Sequence, residues 1–167
     1  MSSPFLGGRV VNAGALTRIF TAAEITANID VPQLGERAVD QAGNEYIFLK
    51  GVASLVAGDP VVFNPSTFVA TRLAGSEVGD VAIAMGAVVA DLAGWFQIYG
   101  TGSINAVATG GVRVYTSSVT GQLLATVVTG ALLHGVFTLA GNGNTVTGTL
   151  QSARLVYPRV DRASGSY

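Results

Sequence analysis

The chain has 167 residues, of which 49% are hydrophobic and 11% charged, and its formal net charge is −1. This length suits one compact domain, and a near-neutral chain without a basic stripe argues against a nucleic-acid partner. The lack of cysteine excludes disulfides and thiolate metal sites, and no apolar run reaches the roughly 20 residues that a membrane-spanning helix needs.

Residues 1–34 show no sustained apolar periodicity, and we predict that they form an extended arm. Within the arm, the stretch LTRIFTAAEI predicts either a strand or a short helix. The arm lacks the basic start and long apolar centre of a signal peptide, so we expect synthesis in a cytoplasm. Two interpretations stay open: a frayed terminus, or an arm that docks on a partner through Phe5, Leu6 and Phe20.

From residue 35 to about residue 160, short β-branched runs alternate with glycine-containing turns. Runs spaced by roughly 8–12 residues are typical of all-β domains, so we predict an antiparallel β-barrel or sandwich. Residues 161–167 are predicted to be a short tail. The first clear element is ERAVDQAGNEYIFLKG, which predicts two strands joined by a turn, with Gly43 and Asn44 suited to positive φ.

Two later stretches are apolar on both strand faces. In DVAIAM, large side chains alternate with the small Ala82 and Ala84, which permit close approach of another backbone layer. In GWFQIYG, Trp95 and Tyr99 lie on one face, opposite the apolar residues of the other face. We expect a sister subunit or another partner to cover the second face, which makes Trp95 and Tyr99 interface candidates.

Charge is nearly absent from the second half of the chain. Between residues 92 and 153 the only charged residue, apart from a protonated form of His134, is Arg113. Typical domains are about one quarter charged. We therefore expect that other chains cover part of this surface, as in a homo-oligomer, and that Thr, Ser, Asn and Gln coat the rest.

Residues that could perform catalysis are few. His134 has no second histidine or cysteine with which to hold a metal, and the carboxylates of Asp59, Glu77 and Asp80 lie in turn sequences. The glycine-rich GNGNTVTG lacks the lysine of a phosphate-binding loop and reads as a hairpin turn. We expect no catalytic residue, no metal and no cofactor. The group Trp95, Phe96 and Tyr99 could stack on sugars or bases, but a core or subunit contact is the preferred interpretation.

Two stretches carry a resemblance to a known family. DQAGNEYIFLKGVASLVAGDPVVF (residues 40–63) and AIAMGAVVADLAGWFQIYG (residues 82–100) resemble the small capsid decoration, or cement, proteins of tailed bacteriophages. The resemblance implies a β-rich oligomer, often a trimer, that binds the major capsid protein on the outside of the assembled shell. It implies a structural role on the virion surface, after synthesis in the host cytoplasm, and it does not extend to residues 1–34.

Three classes of function remain open at this point. The first is a structural virion protein that stabilises a capsid. The second is a receptor- or glycan-binding module of a phage tail or fibre, although such fibres usually contain repeats that this sequence lacks. The third is an enzyme, which would need a convergent polar pocket that the residues above hardly supply.

Overall fold

The computed structural model describes residues 9–10, 16–27, 31–108, 110–125, 131–139 and 150–161. Strands make up 50% of the structure and helix 6%, so the predicted all-β class is confirmed. The strands in chain order are β1 (Arg9–Val10), β2 (Arg37–Val39), β3 (Glu45–Lys50), β4 (Pro60–Phe63), β5 (Ala70–Arg72), β6 (Gly79–Ala84), β7 (Ala93–Val107), β8 (Arg113–Thr116), β9 (Leu123–Leu124), β10 (Leu132–Thr138) and β11 (Leu150–Val160). A short helix, α1 (Ala22–Ala27), lies between β1 and β2.

Six strands close into a barrel, and extra strands are bonded outside it. The ring runs β6–β7–β9–β8–β10–β11 and returns to β6, and every pair in it is antiparallel except β7–β9. Outside the ring, β3 and β2 extend the sheet from β7, whereas β4 and β5 extend it from β6. The barrel alternative of the sequence prediction is therefore the correct one.

Strand β7 connects the barrel to the outer strands because its 15 residues have different neighbours along their length. Residues 93–99 pair with β3, and residues 99–105 pair with β11. Phe96 and Gln97 also pair with Ala84 and Ile83 of β6 on the opposite edge. One strand thus belongs to both layers of the molecule.

The predicted hairpin is present as β2 and β3, with Arg37 opposite Ile47. Gly43 adopts φ +81°, as expected, but Asn44 is not in the left-handed region. The Asn44 side chain instead donates to Asp40, and its Oδ1 accepts the backbone N–H of Thr101 at 2.9 Å. The Asn44 side chain therefore links the turn to β7. Of the two residues predicted to have positive φ, only Gly43 does.

Asp40 organises this turn through its carboxylate. The backbone N–H groups of Ala42 and Asn44, the Asn44 amide and the Tyr46 hydroxyl all donate to it at 2.8–2.9 Å. Burial opposes ionisation of Asp40, but these hydrogen bonds outweigh it and hold the pKa of Asp40 below its ordinary value. Burial and the hydrogen bond that its hydroxyl donates to Asp40 raise the pKa of Tyr46.

The expectation that another chain covers the second face of the aromatic strand is wrong. Trp95 packs with Phe48 and Phe20 on one side of β7, whereas Phe96 joins a second cluster that includes Ala82. Strand β6 likewise has two buried faces, because its large side chains enter the barrel interior while its alanines face the second cluster. The alternation of side chains along these strands did not show that the same chain would cover both of their faces.

The N-terminal segment supplies part of that cover. Phe20 is buried and exchanges backbone hydrogen bonds with Ala93 at 2.8 and 3.0 Å. Thr21 and Glu24 then form a capping box that begins α1, with the Thr21 N–H donating to the Glu24 carboxylate at 2.8 Å. The stretch LTRIFTAAEI therefore contains both a bridging residue and the first residues of a short helix. Of the predicted arm, Phe5 and Leu6 lie outside the described residues.

A buried ion pair joins the start of β4 to β5, and its carboxylate also contacts the barrel strand β7. Asp59, 0% exposed, lies 2.8 Å from Nη2 of Arg72, and its other oxygen accepts from Nδ2 of Asn105 at 3.3 Å. Asn105 also donates to the backbone carbonyl of Gly121 at 2.9 Å. The turn position predicted for Asp59 is confirmed by its N–H bond to Val56, but its carboxylate has the additional role of joining two layers.

Strand β11 bulges opposite β10. Val136 pairs with Leu155 but His134 pairs with Arg159, so the bulge places extra β11 residues opposite Gly135. Gly135 has φ +74°, and a Cβ there would collide with the backbone carbonyl oxygen of Val156. Only glycine satisfies both conditions without moving the bulge.

Replacing Gly135 with alanine is expected to destabilise the fold by more than the about 1–3 kcal/mol that a strained backbone conformation alone costs. The reason is that the colliding atom belongs to the backbone and cannot rotate away. Urea denaturation followed by circular dichroism measures the loss. Gly111→Ala is the matched control, because Gly111 has φ +80° and open space around it. Equal losses in the two variants would contradict the assignment.

Candidate binding cleft at a three-strand junction

The interface candidates predicted from the sequence occupy different environments. Phe20 and Trp95 are 4% and 2% exposed and lie on either side of Phe48, with ring centroids 5.3 and 5.2 Å from it. In the single chain they offer almost no surface to a partner. Tyr99 is partly exposed and lies beside a cleft that the sequence did not reveal.

The cleft forms where three strands exchange partners. Val156 of β11 is the last residue paired with β7, opposite Tyr99, and Arg159 is the first paired with β6, opposite Asp80. Between these pairs Tyr157 and Pro158 make no ladder pairing among the described strands. The gap left at this junction is a cleft of about 380 Å³.

The cleft has an apolar floor and a polar rim. Phe63, Val81 and Ile98, all buried, lie at its floor, and Arg37, Asp80 and Tyr157 are exposed around it. A second cleft of about 470 Å³ shares Phe63 and Asp80 with the first. Their volumes lie within the range of about 300–1,000 Å³ that is usual for ligand pockets.

Tyr157 is held in a conformation that a tyrosine rarely adopts. Its φ is +44°, and yet 49% of the residue is exposed, so core packing does not account for it. Its hydroxyl donates to the Glu45 carboxylate at 2.8 Å, and its ring lies 5.3 Å from that of Tyr99 at an angle of 32°. Side chains from β3 and β7 therefore fix the ring from two directions.

A cation extends the aromatic pair. The guanidinium of Arg154 lies 5.3 Å from the ring centroid of Tyr99 and donates to the Tyr99 hydroxyl at 3.2 Å. The hydrogen bond to Glu45 raises the pKa of the Tyr157 hydroxyl, and partial burial adds to this, whereas Arg37 acts in the opposite direction. Tyr157 therefore stays neutral at physiological pH. Because its hydroxyl is already hydrogen-bonded to Glu45, the face of its ring is the part that a ligand can contact.

The described residues include no group of three or more His, Asp or Glu side chains placed to hold a metal ion. Nε2 of His134 lies 3.7 Å from the Asp161 carboxylate, and both side chains are 55% exposed. No helix in the described part of the chain is long and apolar enough to cross a membrane.

No family model, curated protein or solved structure matches the chain. The sequence did contain one signal for the cleft, the Tyr157-Pro158 dipeptide. Proline cannot donate to a ladder, so within a strand it marks an edge or a bulge, and here it marks the strand junction.

Proposed function

We propose that the protein is a structural, non-enzymatic component of a bacteriophage virion that binds the outside of the assembled capsid and stabilises it. The resemblance of residues 40–63 and 82–100 to capsid decoration proteins supports this proposal. The major capsid protein is the proposed partner, and the virion surface is the proposed location.

The observation that carries the proposal is an exposed surface on β7, β10 and β11, which we call the outer strip. Its rows are set by the strand register, in which Phe137 lies opposite Arg154 and Arg154 lies opposite Thr101. The outer strip consists of Thr101, Ser103, Phe137, Leu139, Leu150, Arg154 and Val156, and it contains no carboxylate. Phe137, Leu150 and Val156 are 43–48% exposed.

Such a surface suits contact with other protein chains. Isolated exposed apolar residues are common on monomers, but several side by side on one sheet face are typical of an interaction surface. Because the strip contains few charges, attachment through it should depend little on salt. Protein that binds only the assembled shell shifts the equilibrium toward that shell by mass action.

The decisive test compares purified particles with and without this protein under heat and osmotic shock. Particles that carry it are expected to survive longer, since capsomers joined by an added chain separate less readily. Equal survival would contradict the proposal, as would absence of the protein from purified virions.

We also expect the protein to be a homo-oligomer, most simply a trimer, because several protomers could then contact the shell at once. Once one contact forms, the others become intramolecular and can add about 10²–10⁴-fold in avidity. Sedimentation velocity at micromolar concentration measures the state. Phe137→Asp in the outer strip is expected to weaken attachment to the shell rather than formation of the oligomer.

Val119→Asp is the matched control for that variant. Val119 is 52% exposed but lies in the turn between β8 and β9, outside the outer strip. It should leave attachment to the shell intact. A wild-type monomer would contradict the oligomer, and equal effects of the two substitutions would contradict attachment through the strip.

A further inference from the structure

We propose that the cleft beside Tyr157 binds a neutral saccharide. The exposed ring of Tyr157 would stack against the C–H face of a pyranose ring, while Arg37 and Asp80 would hydrogen-bond to its hydroxyl groups. This binding activity is separate from capsid attachment and does not depend on it.

The Tyr157 ring is held at the surface, where a ligand can reach it. A left-handed φ at a tyrosine persists only where neighbouring structure imposes it, and such positions cluster at ligand sites. Here the constraint comes from Gly135 behind the bulge, from Tyr99 beside the ring and from Glu45 at the hydroxyl. A ring fixed in this way loses little conformational freedom when a ligand stacks on it.

The charged side chains around the cleft balance one another. The first cleft has one cationic side chain, Arg37, and one carboxylate, Asp80. Arg159 in the second cleft is already paired with Asp161 at 2.9 Å. A phosphate or an acidic peptide would need surplus cations that these walls do not supply. Planar charged groups of both signs around an apolar floor fit the alternating donors and acceptors of sugar hydroxyls.

The two clefts share residues and together offer a longer binding surface than either alone. The second cleft continues from Phe63 and Asp80 and adds the uncharged polar side chains of Asn64 and Thr71. These supply further hydrogen-bonding groups without a net charge. The site should therefore bind a short oligosaccharide more tightly than a single sugar.

The test uses the full chain labelled with ¹⁵N and titrated with glucose, galactose, mannose and N-acetylglucosamine, and then with their short linear oligomers. Amide shifts are expected to concentrate at Arg37, Asp80 and Tyr157. Tyr157→Gly should weaken the binding at least about tenfold, because it removes the ring while glycine tolerates the positive φ. Val119→Ala is the control, since Val119 is also exposed but lines neither cleft, and it should bind as the wild type does.

Three results would overturn the proposal. The first is that no sugar of the panel shifts the cleft amides at millimolar concentration while the spectrum is that of folded protein. The second is binding that survives Tyr157→Gly. The third is that inorganic phosphate shifts the same amides while the sugars do not. Because the titration uses free protein, its outcome is independent of the capsid experiment.

Discussion

Replacing Arg72 with methionine is expected to destabilise the fold by about 3–5 kcal/mol, because it leaves the buried carboxylate of Asp59 without its cation. Asp59 is 0% exposed, so water cannot compensate, and the remaining contacts from Asn105 and Val56 are long, at 3.3 Å. Urea denaturation followed by circular dichroism measures the free energy of unfolding.

The two partners should not be equivalent. The Arg72 side chain is 23% exposed and can reach water when its carboxylate is removed, so Asp59→Asn should cost less than Arg72→Met. The double variant should recover part of the loss of Arg72→Met, since it removes the unpaired charge. A loss below about 1 kcal/mol for Arg72→Met would contradict the role assigned to the pair.

Replacing Trp95 with alanine is expected to cost about 3–5 kcal/mol. The ring is 2% exposed and packs edge-on against Phe48, which in turn contacts Phe20 from the N-terminal segment. The resulting cavity would open between β3, β7 and that segment, where a short helix has little ability to collapse inward. Because Trp95 is the only tryptophan, circular dichroism must follow unfolding.

Phe137→Ala is the control for this prediction. Phe137 is also an aromatic strand residue, but it is 43% exposed, and its loss should cost less than about 1 kcal/mol in the monomer. If Trp95→Ala costs no more than Phe137→Ala, the cluster of Trp95, Phe48 and Phe20 does not support the fold. If the substitution instead lowered the stability of the oligomer but not that of the monomer, Trp95 would belong to a subunit interface, as the sequence predicted.

The sequence predicted the strand content well because glycine punctuation and β-branched runs are local signals. Such signals were enough to predict the β2–β3 hairpin, the turn at Asp59 and the two buried faces of GWFQIYG. Closure of the barrel was not, since it depends on pairings such as Asp80 with Arg159, which lie far apart in the chain. Alternation shows that a face needs cover, but it cannot show whether the same chain provides it.

The candidate cleft was harder to predict than the fold. It is assembled from five strands that contribute one or two residues each, and Arg37, Asp80 and Tyr157 have no shared spacing that forms a motif. The predicted candidates Phe20 and Trp95 were chosen for their apolar character, which core residues share. Tyr99 came closest to the site, although its position beside Tyr157 follows from the β7–β11 register rather than from its neighbours in sequence.

The long strand β7 pairs with partners on both sides of it in the chain, and this sets an order for folding during synthesis. Its contacts with β3 and β6 involve residues that leave the ribosome before it or with it, so these pairings can form early. The barrel cannot close until β11 has emerged, because that strand completes the ring with both β10 and β6. Until then the apolar lining of the barrel faces solvent, and a nascent chain stalled before residue 150 would be a natural substrate for chaperones.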